Sequence, residues 1–248
     1  MSQFIYLHGL CTYGDDELHL GPARLGRLDR YLVELFEHRQ TPLLSIDGIG
    51  FGSPEEQAET ALLQIRSATS PHLVLLGHSM GGLTARVLQA RLEAAAHSVD
   101  IITWGTPHRG TSAAIRNDSR ALKSIANWVG YNLETRAATF KHCTPDALVA
   151  FNTRYPFRQQ SQFSLICDVP LLNTTPLLFT LRPRGPSDGF ISVESQNFGQ
   201  KLGRFQLDHF SAIGYSDLHP LPSVRTHSRA EFNRLVDLVL SLRRSDSK

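Results

Sequence analysis

The chain has no apolar run that approaches the roughly 20 residues needed to span a bilayer. Its three cysteines, Cys11, Cys143 and Cys167, are odd in number and unrelated in spacing, so we expect buried thiols and neither a disulfide framework nor a metal site. The formal net charge is only +2, and no dense basic cluster is interleaved with aromatic residues, which gives no ground for nucleic-acid binding. The expectation that remains is an ordinary globular protein without a transmembrane segment.

The start of the given sequence shows no pattern typical of a secretion signal. Met1 leads directly into a β-prone run, with no basic segment and no long apolar segment before a cleavage site. We therefore expect a cytoplasmic protein, while secretion by another route or removal of a signal stays open. The 248 residues suit a single domain, 1–248, with one apolar core.

Strand-like apolar runs alternate with stretches of helical periodicity over most of the chain. The predicted strands are 4–7, 42–47, 73–77, 99–104, 163–169 and 177–181, and the predicted helices are 24–38, 53–68, one that begins at Met80, and 225–242. Ser53 and Glu56 have the spacing of a capping box, which marks the start of the second helix. The alternation predicts an α/β fold with a mostly parallel central sheet and helices on both faces.

The run 73–82 ends in a serine that is bracketed by glycines. Gly77 and Gly81 suit a sharp turn between a buried strand and a helix, because such a turn leaves no room for a Cβ atom. Ser79 would then have a strained backbone and an exposed hydroxyl, as a nucleophile elbow requires. The pentapeptide alone is weak evidence, since roughly one chain in ten of this length would contain it by chance. A nucleophilic serine also needs a histidine base and an acid that orients the base.

The partners of Ser79 should follow it in the order acid, then histidine, each on a loop after a later strand. Asp188 lies in a polar turn before an apolar run, and we predict that it is the orienting acid. His209 lies in a later loop, and we predict that it is the base. Read singly, each has a simpler interpretation, as a turn residue and as a structural histidine. The alternative partners are Asp208, Asp217, His219 and, less well placed at the start of the closing helix, His227.

Two backbone N–H groups are predicted to stabilise the oxyanion of the tetrahedral intermediate. Met80 supplies one because it follows the serine directly, and Leu10 supplies the other because it follows the first strand. Several histidines are expected near this edge of the sheet, but none has the spacing of a metal-ligand pair. They are His8, His78, His108 and His209.

Residues 112–157 interrupt the alternation with short helical pieces. They follow directly on the loop after the strand 99–104, at the edge of the sheet where the site is expected. We interpret the region as a candidate lid or cap, with a plain packed helical insertion as the alternative.

Six short motifs are spread over most of the chain. They are YLHGL at 6–10, GHSMGG at 77–82, WGTPHRGT at 104–111, FNTRYP at 151–156, SDGFIS at 187–192 and DH at 208–209. Together they resemble the bacterial true lipases of the α/β-hydrolase fold, the triacylglycerol lipase family of the Pseudomonas and Burkholderia type. The resemblance implies Ser79, Asp188 and His209 as a catalytic triad and the amides of Leu10 and Met80 as the oxyanion hole. It also implies that the insertion after the strand 99–104 contains the lid.

The chain departs from that family in three respects. The family usually has an aspartate two residues after the catalytic histidine as a calcium ligand, and Ser211 occupies that position here. We therefore expect no cofactor, and a structural calcium is not predicted. The family is usually exported and often has a disulfide, for which this sequence shows neither a signal nor a matching cysteine pair. The lid region is also shorter.

The sequence thus favours a serine carboxylic ester hydrolase, a lipase or esterase, that acts on lipid or acyl esters through an acyl-serine intermediate. An acyltransferase or an amidase would use the same residues. A non-catalytic binding protein of the same fold is disfavoured, because it has no need of Ser79, Asp188 and His209 together. The expected partner is a lipid or small acyl ester, with transient contact at a lipid interface.

Overall fold

The computed structural model describes residues 2–9, 17–20, 23–49, 51–65, 70–115, 138–179 and 181–242. The strands in these parts of the chain are β1 (Gln3–Leu7), β2 (Glu17–Leu20), β3 (Ala23–Arg27), β4 (Leu43–Ser45), β5 (His72–His78), β6 (Ser98–Trp104), β7 (Gln162–Cys167) and β8 (Gln200–Phe205). The main sheet has the order β4-β1-β5-β6-β7-β8, and every neighbouring pair in it is parallel. The predicted parallel sheet is therefore confirmed, and β2 and β3 form a separate antiparallel hairpin.

Helices cover both faces of the main sheet. The longer ones are Arg30–His38, Pro54–Ile65, Gly81–Ala94, Pro145–Arg154 and Pro222–Leu242. Because side chains alternate along a strand, β1 sends Ile5 and Leu7 to one face and Phe4 and Tyr6 to the other, and all of them are buried. Each face thus has its own apolar cluster. In the described part of the chain, no helix combines the length and the apolar character that a membrane span requires.

The predicted helix 24–38 is wrong in its first part. The segment Ala23–Arg27 is the second strand of the hairpin, and the helix begins only at Arg30. Leu25 and Leu28 share helical spacing with the later leucines, which explains the incorrect boundary. Gly26 has a φ of 100°, a left-handed conformation that glycine adopts without strain and that a helix does not contain.

The last strand of the sheet is also not the predicted segment 177–181. There, Pro176–Leu178 form a single 3-10 turn, closed by a hydrogen bond of 2.8 Å from Leu178 N–H to Thr175 O. The strand at this edge is β8, whose sequence QKLGRF has mostly exposed or partly exposed side chains. An edge strand of this kind has no continuous apolar run, so the hydrophobic pattern did not reveal it.

The capping box at Ser53 and Glu56 is confirmed. Glu56 Oε2 accepts a hydrogen bond from Ser53 N–H at 2.7 Å, and Ser53 Oγ accepts one from Glu56 N–H at 3.2 Å. These two bonds satisfy donors at the start of the helix that have no partner within it. The helix is described as far as Ile65, and its predicted end lies outside the described residues.

Two of the three cysteines lie in the described part of the chain. Cys143 and Cys167 are buried free thiols, as the sequence predicts. Burial raises the pKa of the Cys143 thiol to about 12, so this side chain is not a reactive thiolate at neutral pH. Cys11 lies outside the described residues.

The region 112–157 is described only at its two ends. It contains the helices Ser112–Ile115 and Pro145–Arg154 and the 3-10 turn Lys141–Cys143. Thr111 N–H donates a hydrogen bond of 2.9 Å to Cys143 O, so the two described ends of the region lie side by side. Residues 116–137 lie outside the described residues, and the lid stays a prediction.

Arg86 is a charged side chain buried on the helix Gly81–Ala94, with 2% of its surface exposed. Its guanidinium donates to Asn152 Oδ1 at 2.8 Å and to Tyr155 O, and it lies 3.9 Å from the centroid of the Phe198 ring. Among the described residues no carboxylate pairs with it. The two neutral acceptors and the aromatic ring therefore stabilise the buried positive charge. Through these contacts, Arg86 links the helix Gly81–Ala94 to the helix Pro145–Arg154.

We expect Arg86→Met to lower the free energy of unfolding by about 2 to 4 kcal/mol, because a buried donor and its two partly buried acceptors lose their hydrogen bonds while the apolar stem is kept. Urea unfolding of the purified proteins measures this difference. The control is Arg91→Met on the same helix, where the guanidinium is partly exposed and pairs with Glu59. That change should cost less than about 0.5 kcal/mol, and equal costs for the two variants would contradict the role of Arg86.

Candidate active site

Ser79 lies in the turn between β5 and the helix Gly81–Ala94. Its φ of 54° is in the left-handed region, which residues with a side chain rarely adopt. A Cβ atom at Gly81 would overlap Leu7 O, and one at Gly77 would overlap the backbone of the next helix. The turn therefore needs both glycines, and it has the strained geometry that the sequence predicts for a nucleophile elbow.

The side chains of Ser79, His209 and Asp188 form one hydrogen-bonded line. His209 Nε2 lies 3.1 Å from Ser79 Oγ, and His209 Nδ1 lies 2.8 Å from Asp188 Oδ2. An ionised carboxylate only accepts hydrogen bonds, so Nδ1 carries the proton and Nε2 is left to accept from the serine hydroxyl. This is the arrangement in which an imidazole can remove the hydroxyl proton.

Asp188 is fixed by backbone groups on both sides. Its Oδ1 accepts hydrogen bonds from Phe190 N–H at 2.8 Å and from Ile191 N–H at 2.6 Å. The Asp188 carbonyl accepts a hydrogen bond from His209 N–H at 2.8 Å. This is a second link between the loop after β7 that carries Asp188, the acid loop, and the loop after β8 that carries His209, the base loop. Gly189 has a φ of 91°, so the segment is also the tight Asp-Gly turn of the simpler interpretation. Asp188 is therefore both a turn residue and a carboxylate whose orientation the turn fixes.

His78 packs against this line without belonging to it. Its ring centroid lies 4.6 Å from that of His209, and its side chain is buried. Burial, followed by the charge of the neighbouring His209, lowers the pKa of His78 well below its usual value. A Cβ atom at Gly105 would lie 3.1 Å from Asp188 Oδ2 and 3.2 Å from both His209 Nδ1 and His78 Nε2, so no larger residue fits behind the pair.

The alternative partners lie apart from Ser79. Asp208 accepts from two backbone N–H groups, and Asp217 pairs with Arg229 at the surface. His219 contacts Leu172 O at 3.2 Å, and His227 contacts Gln206 Oε1 at 3.1 Å. Of the candidate acids and bases named from the sequence, only Asp188 and His209 come together with the serine. Their catalytic roles stay a prediction, which the geometry makes physically feasible.

One of the two predicted oxyanion donors can be located. Met80 lies at the start of the helix Gly81–Ala94, and its N–H donates to none of the described residues. A Cβ atom at Gly9 would overlap Ser79 Cβ, which brings the end of β1 against the serine. Leu10 itself lies outside the described residues.

Part of the wall of the site was missed by the sequence reasoning. A narrow cleft beside Ser79 is lined by apolar side chains of Leu28, Phe210 and Ile213 together with Tyr6 and His8. Leu28 follows the unpredicted hairpin, and Phe210 and Ile213 follow His209. The apolar residues directly after the DH motif were the only local signal for this wall.

The calcium site of the resembled family does not fit these residues. Ser211 occupies the expected ligand position, and its N–H donates to Asp208 Oδ1 at 2.7 Å. The second oxygen of Asp208 accepts from Thr175 N–H at 2.6 Å. Within the described ranges, no group of three or more His, Cys, Asp or Glu side chains is arranged to hold a metal ion.

Comparisons with known proteins identify the fold. Residues 57–140 match the PGAP1-like alpha/beta domain family. The structure is similar to the mature lipase BlEst2 of Bacillus licheniformis, with 16% identity, 85% of this chain and 86% of that chain covered, and a TM-score of 0.64. It is also similar to the Staphylococcus hyicus lipase, with 13% identity, 97% and 95% covered, and a TM-score of 0.67. No curated protein sequence matches the chain.

The chain therefore has the α/β-hydrolase fold, in the form found in bacterial lipases. The fold class predicted from the sequence is confirmed. The lipases reported above come from Bacillus and Staphylococcus, so the narrower resemblance to the Pseudomonas and Burkholderia type stays a prediction.

His108 is another buried histidine, on the loop after β6. Its Nε2 lies 3.0 Å from Thr103 Oγ1, and its ring stacks on Phe198 with centroids 4.4 Å apart. Burial, and then the charges of Arg86 and Arg109, lower the pKa of His108 well below its usual value. His108 is therefore neutral in the folded protein at pH values where the unfolded chain takes up a proton.

This difference predicts how stability depends on pH. The folded-state pKa of His108 is depressed, so its contribution is complete above about pH 6.5 and is lost as the pH falls below that value. Each buried histidine of this kind should make the free energy of unfolding fall more steeply with decreasing pH, by about 1.4 kcal/mol per pH unit. We expect His108→Gln to flatten the decline in the free energy of unfolding between pH 6.5 and 5 by about that amount, as measured by urea unfolding across the pH range. An unchanged slope would contradict the prediction, because it would show that His108 takes up its proton over the same pH range in the folded and unfolded states.

Proposed function

We propose that the protein is a serine carboxylic ester hydrolase that cleaves lipid or other acyl esters through an acyl-Ser79 intermediate. The observation that carries the proposal is the continuous line from Ser79 Oγ to His209 Nε2 at 3.1 Å and from His209 Nδ1 to Asp188 Oδ2 at 2.8 Å. A binding protein has no use for a serine in a strained turn that faces an imidazole with a fixed tautomer.

In the first half of the proposed reaction, Ser79 Oγ attacks the ester carbonyl carbon while His209 Nε2 takes the hydroxyl proton. The imidazolium that forms is stabilised by Asp188, which stays ionised. The negative charge on the carbonyl oxygen is stabilised by the N–H of Met80 and, by the same proposal, that of Leu10. When the tetrahedral intermediate collapses, His209 gives its proton to the leaving alkoxide, and the acyl group stays on the serine.

In the second half, a water molecule replaces the alcohol. His209 removes a proton from the water as its oxygen attacks the acyl carbon, and the second tetrahedral intermediate uses the same donors. Collapse returns the proton to Ser79 Oγ and releases the carboxylic acid. The protein groups end in their starting protonation states, so no cofactor is required.

The surroundings of Ser79 support an apolar acyl group. Leu28, Phe210 and Ile213 line a cleft of about 10 Å³ beside the serine, which gives the reacting ester an apolar neighbourhood without room for a long acyl chain. The lipase-like fold agrees with this substrate class. Hydrolysis rates across an ester series from acetyl to palmitoyl would separate an esterase from a lipase.

The test is labelling and turnover by a Ser79→Ala variant. We expect a fluorophosphonate probe to label the wild-type protein at neutral pH and to leave Ser79→Ala unlabelled, since the probe reacts with an activated serine. Hydrolysis of p-nitrophenyl acetate should fall by at least about 1,000-fold. Ser164→Ala is the control, because Ser164 Oγ is buried without a hydrogen-bond partner among the described residues. Wild-type turnover by Ser79→Ala would refute the proposal.

A further inference from the structure

Asp208, the residue before His209, is a buried carboxylate with no cationic partner among the described residues. It has 1% of its surface exposed. Both of its oxygens accept hydrogen bonds from backbone N–H groups, Oδ2 from Thr175 at 2.6 Å and Oδ1 from Ser211 at 2.7 Å. A carboxylate that accepts bonds of this kind is a strong anchor, because charge-assisted hydrogen bonds are roughly twice as strong as neutral ones.

The bond to Thr175 links the base loop to a segment that also touches the acid turn. We call residues 171–178 the strap. A Cβ atom at Gly189, next to Asp188, would lie 2.7 Å from Thr174 Cγ2 and 3.2 Å from Leu178 Cβ. The strap thus packs on the residue after the acid while its backbone is bonded to the residue before the base. One segment is therefore held against a chain neighbour of each member of the pair.

The bond to Ser211 fixes the chain on the other side of His209. Asp208 O also accepts from Ala212 N–H at 2.8 Å, and Ala212 O accepts from Trp104 Nε1–H at 2.8 Å. The residues before and after His209 are therefore tied to each other and to β6. The backbone that carries the imidazole has little freedom to rotate.

We propose that Asp208 is a positioning residue for the reaction: through Thr175 and Ser211 it holds the base loop against the strap and so sets His209 between Asp188 and Ser79. This inference rests on the proposed function. A displacement of about 1 Å at such a pair can cost on the order of 100-fold in rate, so loss of the anchor should appear in kcat.

The sharpest test removes one N–H group. Thr175 has a φ of −54°, and Thr174 has φ and ψ of −83° and 134°, so the backbone at position 175 accepts proline. The proline Cδ takes the place of the N–H whose nitrogen lies 2.6 Å from Asp208 Oδ2, so the substitution both deletes the donor and pushes the carboxylate away. Thr175→Pro deletes the donor to Asp208, while Thr175→Ala keeps the donor and deletes only a hydroxyl that has no hydrogen-bond partner among the described residues. We expect Thr175→Pro to lower kcat for p-nitrophenyl acetate by about 10- to 100-fold, with KM within about twofold of wild type, and Thr175→Ala to change neither.

Asp208→Asn tests the other end of the same bond. An amide presents a donor to one of the two backbone N–H groups, so it cannot replace the carboxylate. We expect a kcat loss at least as large as for Thr175→Pro, and in the double variant the losses should not multiply, because both act through one contact. Asp217→Asn, an exposed aspartate later in the base loop, is the control and should keep wild-type kcat.

Active-site titration separates positioning from folding. Every kcat is divided by the fraction of molecules that the fluorophosphonate probe labels, and thermal unfolding is recorded for each variant. Normal kcat per labelled site in Asp208→Asn and Thr175→Pro would overturn the proposal, because a merely structural role lowers only the number of active molecules. Restoration of Asp208→Asn by millimolar calcium, or loss of wild-type kcat in EDTA, would overturn it as well, since a metal would then be the anchor. A wild-type protein that is not labelled at all would instead refute the proposed function.

Discussion

The close approach of β5, the turn at Ser79 and the following helix is the constraint on which the rest of the site depends. A Cβ atom at either Gly77 or Gly81 would overlap backbone atoms, so both positions must be glycine. The left-handed conformation of Ser79, with its φ of 54°, is maintained because strand and helix are both packed in the core. The hydroxyl is thereby presented at the edge of the sheet, where the other loops can reach it.

Parallel strands then bring distant residues to that edge. Because all strands of the main sheet run in one direction, the loops after β5, β7 and β8 lie on the same side. The loop after β7 supplies Asp188 and the loop after β8 supplies His209. Two backbone N–H groups donate to Asp188 Oδ1, and His209 N–H donates to Asp188 O, so backbone hydrogen bonds hold both residues. The sheet gives the approximate place of each group, and the turn hydrogen bonds give its orientation.

The parts of the fold that sequence reasoning predicted are those with strong local signals. The elbow, the strands 73–77 and 99–104 and the capping box at Ser53 each follow from a few neighbouring residues. The edge strand β8 was missed because its side chains are mostly exposed or partly exposed and form no apolar run. The hairpin of β2 and β3 was missed because Leu25 and Leu28 continue the helical spacing of the helix that follows. The predicted strand 177–181 is wrong although an apolar run is present, because the run forms a 3-10 turn that packs on Gly189.

Asp188 and Asp208 show where local reasoning ends. Both are aspartates in polar loops after late strands, and both are buried with backbone N–H donors on their oxygens. They differ in whether a carboxylate oxygen is left to accept a hydrogen bond from His209. Asp188 Oδ1 accepts both turn N–H groups, which leaves Oδ2 for His209, whereas Asp208 uses one oxygen for each of two loops and has none directed at the base. When both backbone N–H groups donate to the same oxygen, as in Asp188, the other oxygen is available to orient the histidine. When each oxygen accepts one of them, as in Asp208, the carboxylate can only anchor the loop.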